Sequence, residues 1–161
     1  MSINTMQDDS LPCMAGRATL LRMRFVIALL CLAHPASAWE FSPVPICTLS
    51  HQTDEAAVTV TYDGTAAQPY AIGISGPDLV PAPVFAIRFE GPRGLTITTD
   101  RHQLADGTVT VRDRGFGNVL NGIEFSDTAT AILGGTQIAI PLAGADAPMQ
   151  AFRACIAAPV A

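Results

Sequence analysis

Apolar and polar residues alternate along short stretches of the chain, and each stretch ends at a turn signal. Val58, Val60 and Tyr62 alternate with threonines until Asp63-Gly64, a dipeptide typical of tight turns. A period of two is expected of a half-buried β-strand, because successive side chains point to opposite faces of a sheet. The pattern therefore predicts a strand over residues 57–62.

The same alternation recurs as far as residue 140 and predicts a mainly all-β fold. Gly134-Gly135-Thr136 separates the last two alternating stretches and is the best hairpin signal in the chain. About seven or eight short strands with frequent turns indicate an antiparallel β-sandwich or a small barrel. The further strands are predicted at residues 70–74, 85–90, 95–99, 109–111, 129–133 and 137–140.

One short helix is predicted near the C-terminal end, over residues 147–154. Met149, Phe152 and Ile156 recur at three-to-four spacing, which places them on one helical face. Pro148 suits a first helical turn, because that position needs no backbone N–H donor. The strands are therefore expected to be followed by a single short helix.

Residues 113–122 break the strand pattern, with three glycines and two asparagines among them. We expect an irregular loop or a helical turn here. Phe116 is open to two interpretations: its ring packs into the core, or a rigid turn displays it to a partner. In the second interpretation the candidate binding loop consists of Asp113, Arg114, Phe116, Asn118 and Asn121.

An apolar run near the N-terminus has the features of an export signal. Arg22 and Arg24 supply positive charge, about nine apolar residues follow, and Ala36-Ser37-Ala38 has the small residues of a cleavage site. The run is too short to cross a bilayer, which takes roughly 20 apolar residues, so no membrane span is expected. Residues 1–38 are predicted to be a signal peptide, with Met23 as an alternative start, and the mature chain to be periplasmic or secreted.

The remaining residues, 39–161, have the length of one domain and an acidic balance. They carry 12 acidic side chains and six arginines, and the chain has no lysine. A domain of this charge lacks the basic surface that binding to a phosphate backbone requires. The composition therefore argues against nucleic acid as a partner.

Two of the four cysteines, Cys13 and Cys31, lie in the predicted leader. Cys47 and Cys155 remain near opposite ends of the mature chain, and an isolated pair in an oxidising compartment is expected to form a disulfide. Closing a loop of about 100 residues stabilises a fold by roughly 4–5 kcal/mol in the chain-entropy model. The alternative is a pair of free, buried thiols.

Two histidines and nearby carboxylates offer the material for a metal or acid–base site. His51 and Asp54 lie at the edge of one predicted turn, and Asp100 and His102 lie at the edge of another. If the fold brings His51, His102 and Asp100 together, they could serve a metal-dependent enzyme or a hydrolase. Neither a His-x-His nor a His-Glu-x-x-His pattern accompanies them, so solvated turn residues are the competing interpretation and no cofactor is predicted.

The overall plan of the chain carries a family resemblance. It combines a cleaved leader, an early cysteine, short strands, and an ending from Pro141-Leu142-Ala143-Gly144 to Ala151-Phe152-Arg153-Ala154-Cys155 with a helix after the last strand. This plan resembles the small exported alphaproteobacterial proteins of the invasion-associated locus B type. The resemblance implies a periplasmic or secreted, non-enzymatic β domain and supplies no catalytic residues. That family carries basic residues on its strands, and this lysine-free chain departs from it there.

These observations predict a non-enzymatic β-sandwich module that binds an envelope or extracellular protein or ligand. Two alternatives stay open. One is a small periplasmic metal-dependent enzyme or hydrolase that uses His51 and His102, and the other is a hydrolase inhibitor that inserts the loop around Phe116. The sequence predicts no particular oligomeric state.

Overall fold

The computed structural model describes residues 38–158, which form ten strands and two helices. The strands make two antiparallel sheets, a six-stranded sheet A and a four-stranded sheet B. The predicted leader, with its alternative start at Met23, lies outside the described residues apart from Ala38. The elements in chain order are β1 (Trp39–Ser42), β2 (Cys47–Gln52), β3 (Ala57–Tyr62), β4 (Tyr70–Ser75), β5 (Phe85–Glu90), β6 (Leu95–Thr99), β7 (His102–Ala105), β8 (Thr108–Asp113), α1 (Gly117–Phe125), β9 (Thr128–Leu133), β10 (Thr136–Pro141) and α2 (Asp146–Ala157).

The strand order is β1-β2-β3-β4-β8-β7 in sheet A and β10-β9-β5-β6 in sheet B. This architecture confirms the predicted fold class, a mainly β antiparallel sandwich with a short helix after the last strand. The β9–β10 hairpin turns at Gly134 and Gly135, and Gly134 has a φ of 60°, a conformation that favours glycine. The structure adds β1, β2, β7 and α1 to the elements that the alternation pattern predicts.

Apolar side chains of both sheets form one core. On sheet A, Leu49, Val60 and Ile72 lie in register on neighbouring strands and are buried. On sheet B, Phe89 and Ala129 are paired across β5 and β9 and are buried as well. Burying a large apolar side chain contributes roughly 1.5–3 kcal/mol, so this shared core is the main source of stability.

The N-terminal strand packs on its own sheet. Trp39 is 5% exposed, and its indole Nε1–H donates a hydrogen bond to the Pro141 carbonyl oxygen at 3.1 Å. Phe41 meets Phe152 of α2 edge to face, with ring centroids 6.5 Å apart. These contacts tie β1 to β10 and to the C-terminal helix.

A disulfide joins Cys47 on β2 to Cys155 on α2, across a sequence separation of 108 residues, as predicted. Helix α2 buries Met149 and Phe152 completely. Its first turn contains Asp146, a position where the helix dipole favours negative charge. The bridge therefore holds the apolar face of α2 against sheet A.

The nine-residue helix α1 begins within the glycine-rich segment predicted as a loop or a helical turn and extends past its end to Phe125. Val119, Leu120 and Ile123 are its buried apolar residues, so tertiary packing holds a helix whose glycines and asparagines have low helix propensity. Gly122 is also buried, and its backbone lies directly against the ring of Phe89. Neither helix within residues 38–158 is long and apolar enough to cross a membrane.

Candidate functional site

A cleft of about 430 Å³ opens between the two sheets, at the end where β6 faces β8. Its volume falls within the usual range for small-molecule sites, roughly 300–1,000 Å³. Apolar side chains line its inner wall, among them Ile72, Ile87, Ile97, Val111 and Phe116. Polar side chains stand around it, among them Thr98, Thr99, Arg101, Asp113 and Asn118.

The cleft exists because the strands on this side of the sandwich have unequal lengths. Strand β7 pairs with β8 only from Ala105 opposite Thr108 to His102 opposite Val111, so Asp113 extends beyond its neighbour. Because no further strand covers this end, Ile97 on β6 and Val111 on β8 stay half-buried across the gap.

Phe116 forms part of the wall of this cleft, and its ring is not exposed to a partner. Its side chain is 4% exposed, and its ring stacks on Tyr70 with centroids 5.5 Å apart. Tyr62 continues the row, with its ring centroid 4.9 Å from that of Tyr70. The interpretation that Phe116 packs into the core is therefore confirmed. The interpretation that a turn presents its ring to a partner is wrong, because stacking and burial already occupy the ring.

Only some of the other residues of the candidate binding loop line the cleft. Asp113 and Asn118 line the cleft. Arg114 is exposed beside it, and its backbone N–H donates to the Asp113 carboxylate at 2.6 Å. Asn121 faces the other helix, where its Oδ1 accepts a hydrogen bond from Arg153 Nη2 at 2.8 Å. The site contains part of the predicted loop, while Asn121 helps to join α1 to α2.

Tyr70 lies behind the cleft wall and has a perturbed acidity. Burial and the neighbouring Tyr62 raise the pKa of Tyr70 above its usual 10.0, and Arg153 partly opposes this rise. The phenol therefore binds its proton more tightly in the folded than in the unfolded protein. Its contribution to stability is complete below the unfolded-state pKa and is lost as the pH rises through the folded-state pKa.

We expect the free energy of unfolding to fall in this alkaline range, and Tyr70→Phe to make the fall smaller. Denaturant unfolding below and above the ordinary tyrosine pKa measures the change, and ultraviolet difference spectroscopy follows ionisation directly. If the folded wild type and Tyr70→Phe lose stability equally with rising pH, Tyr70 does not carry the effect.

The two histidines do not share a site. His51 is 4% exposed and stacks on Trp39, its cross-strand neighbour, with centroids 4.6 Å apart. His102 lies near Phe85, with ring centroids 6.0 Å apart. Strands β2 and β7 are four positions apart in sheet A, which separates the histidines by about 19 Å at roughly 4.8 Å per strand. The structure therefore does not bring the alternative candidates His51, His102 and Asp100 together into one site.

Both histidines lie on strands, and His51 Nδ1, His51 Nε2 and His102 Nδ1 are buried without a hydrogen-bond partner among the described residues. Each continues the inward alternation of its strand, with Leu49 before His51 and with Leu104 after His102. Asp100 is exposed at the link between β6 and β7. Within residues 38–158, no group of three or more His, Cys, Asp or Glu side chains is placed to hold a metal ion.

A second groove, of about 570 Å³, lies along the ends of β1, β2 and β3. Glu40, Ser50, Gln52 and Asp54 line it, and so does Ala38, where the predicted leader ends. Its wall therefore depends on whether the chain is cleaved after Ala38. The inter-sheet cleft has no such dependence, and apolar side chains of both sheets line its inner wall, so it is the better candidate.

Fold and cleft together define a class, a disulfide-linked β-sandwich with an open, apolar-walled cleft between its sheets. Comparison with protein-family models, with curated proteins and with solved structures finds no match to this chain.

Proposed function

We propose that this protein is an exported binding module whose ligand site is the cleft between the sheets. The apolar wall takes up the apolar part of a ligand, and the polar groups at the mouth orient its polar part. Arg101 and Asp113 stand on the two sides of the mouth and supply opposite charges. Sites of this kind bind through burial and gain specificity from a few placed polar groups.

The cleft is the observation that carries the proposal. Half-buried Ile97 and Val111 leave apolar surface that a ligand would remove from water, at roughly 25 cal/mol per Å². Export is supported by the leader-like residues 1–38 and by a disulfide of the kind that persists in oxidising compartments. The resemblance to the invasion-associated locus B type leads to the same proposal, because it also implies an exported domain without catalysis.

The test uses 8-anilinonaphthalene-1-sulfonate, whose apolar rings match the cleft wall and whose sulfonate matches Arg101. We expect its fluorescence to report saturable binding of one molecule per folded chain. Val111→Trp fills the gap and should weaken binding at least about tenfold, which corresponds to about 1.4 kcal/mol. Arg101→Ala should weaken it less, because an exposed ion pair contributes about 0–1 kcal/mol.

Thr96→Trp is the matched control, because Thr96 is exposed on the outer face of β6 and the same aromatic ring is added there. We expect this variant to bind the dye as the wild type does. Thermal unfolding of each variant checks that the protein is folded at the temperature of the dye titration. Equal binding by Val111→Trp and Thr96→Trp would place the dye elsewhere and reject the cleft as the site.

A further inference from the structure

Strand β6 leaves one side of its backbone unpaired. It forms the edge of sheet B and pairs only with β5, from Leu95 opposite Phe89 to Thr99 opposite Phe85. In an antiparallel pair, alternate residues direct their N–H and C=O groups away from the neighbour. Within the described chain these outward groups have no backbone partner. An exposed edge of this kind is a template for one more strand.

Apolar side chains lie along the first part of this edge. Leu95 is 37% exposed and Phe125, at the end of α1, is 50% exposed. Ile97 follows two positions after Leu95, on the same face of β6, and borders the cleft. A strand added beside β6 would lie about 4.8 Å away and turn every second side chain toward this face. Those side chains would meet Leu95 and enter the cleft beside Ile97.

An arginine lies at each end of the same edge. Arg93 precedes β6, with its guanidinium carbon 5.7 Å from the centre of the Phe125 ring, and Arg101 follows β6 at the mouth of the cleft. Neither arginine forms an ion pair within residues 38–158. Two unpaired arginines on a chain of net charge −5 mark this edge as complementary to a partner with carboxylates.

We propose that the edge of β6 binds an extended peptide segment of a partner protein, which adds a strand to sheet B. Its carboxylates meet Arg93 and Arg101, and its inward apolar side chains meet Leu95 and occupy the cleft. The inference rests on the proposed function, because it names the ligand class of that same cleft. Backbone hydrogen bonds would supply affinity and the cleft would supply specificity, as in other cases of strand addition.

A second copy of this chain fits the edge less well. Antiparallel pairing of two β6 strands about Ile97 would set Arg93 of one copy opposite Arg101 of the other, twice in each dimer. Like charges placed directly opposite each other destabilise such a pair. The charges of the edge therefore favour a different, acidic segment.

The probe is the capped peptide Glu-Thr-Val-Thr-Leu-Thr-Val-Thr-Glu. Its sequence reads the same in both directions, so it presents carboxylates to Arg93 and Arg101 in either strand orientation. With the oxidised, full-length chain, we expect binding with a Kd of about 100 μM or better and amide chemical-shift changes centred on β6. The peptide should also displace the naphthalene dye from the cleft.

Two N-methylated forms of the peptide test the backbone pairing. One carries methyl groups on the odd amides and the other on the even amides. Because only alternate N–H groups of an added strand face β6, one form should lose binding and the other should keep it. Equal binding by both forms would overturn strand addition.

Charge reversal tests the two arginines. Arg93→Glu and Arg101→Glu should each weaken binding at least about tenfold, and the double variant Arg93→Glu/Arg101→Glu should bind a peptide that ends in lysines. Arg112→Glu is the matched control. Arg112 is exposed on β8, and its cross-strand neighbour is Ala71 on β4, in the sheet to which β6 does not belong. This variant should bind as the wild type does.

The outcomes separate the two proposals. If the dye binds and Val111→Trp abolishes its binding while the peptide does not bind, the strand inference is wrong and the cleft stays a ligand site. If neither binds, both proposals fail. If the protein without peptide sediments as a dimer, and the amide chemical shifts of β6 differ between dimer and monomer, a second copy occupies the edge. The inference is then overturned.

Discussion

Replacement of both Cys47 and Cys155 by alanine is expected to lower the free energy of unfolding by about 4 kcal/mol. The bridge closes a loop of 108 residues, nearly the whole described domain, so its loss frees a large part of the unfolded chain. For a domain of this size the melting temperature should fall by roughly 10–20 °C. Few single contacts in the domain could match this effect.

Denaturant unfolding of the oxidised protein, the reduced protein and the variants measures the loss. Reduction of the wild type removes the crosslink but keeps both sulfur atoms, so it separates the bridge from the packing of Cys47, which is buried. Cys47→Ala, Cys155→Ala and the double variant should agree closely, because each loses the same bond. A reduced protein as stable as the oxidised one would contradict the expectation.

The alternation rule found the strands that have apolar residues at every second position. It predicts residues 57–62, 85–90 and 95–99 with the bounds that the structure gives. It does not find β2, where the inward positions are Cys47, Leu49 and His51. A histidine counts as polar in a sequence pattern, whereas this one is buried and stacks on Trp39.

Helix α1 illustrates a different limit. Its sequence is poor in helix formers, so local propensity favours a loop. The helix forms because Val119, Leu120 and Ile123 find a core to enter, and that core is built by strands distant in the sequence. A pattern confined to ten residues contains no information about such tertiary contacts.

Only part of the candidate site could be predicted from the sequence. Asp113, Phe116 and Asn118 belong to one segment with unusual composition, and they do line the cleft. Ile97 and Val111 look like ordinary strand residues. They become a site because β6 and β8, in different sheets, face each other beyond the end of β7. That arrangement depends on strand order, which alternation does not determine.

Gly122→Ala is expected to destabilise the domain by up to about 2 kcal/mol, although alanine is the better helix former. A Cβ at this position would lie 2.6 Å from two carbons of the Phe89 ring and 2.7 Å from a third. The ring is 1% exposed, so it cannot move aside into solvent. Overpacking of this kind costs roughly 1–3 kcal/mol or more, which outweighs a propensity gain of about 1 kcal/mol.

Gly117→Ala provides the matched control, because Gly117 lies in the same helix and a Cβ there would meet nothing within 4 Å. We expect it to be neutral or slightly stabilising by urea unfolding. Phe89→Leu, which shortens the ring side chain, should cost stability in the wild type but reduce the penalty of Gly122→Ala in the double variant. If the two substitutions are additive, the contact between α1 and β5 does not cause the loss. If the double variant loses much less stability than the sum of the two single variants, Gly122 is required because the core strand β5 packs against the helix backbone.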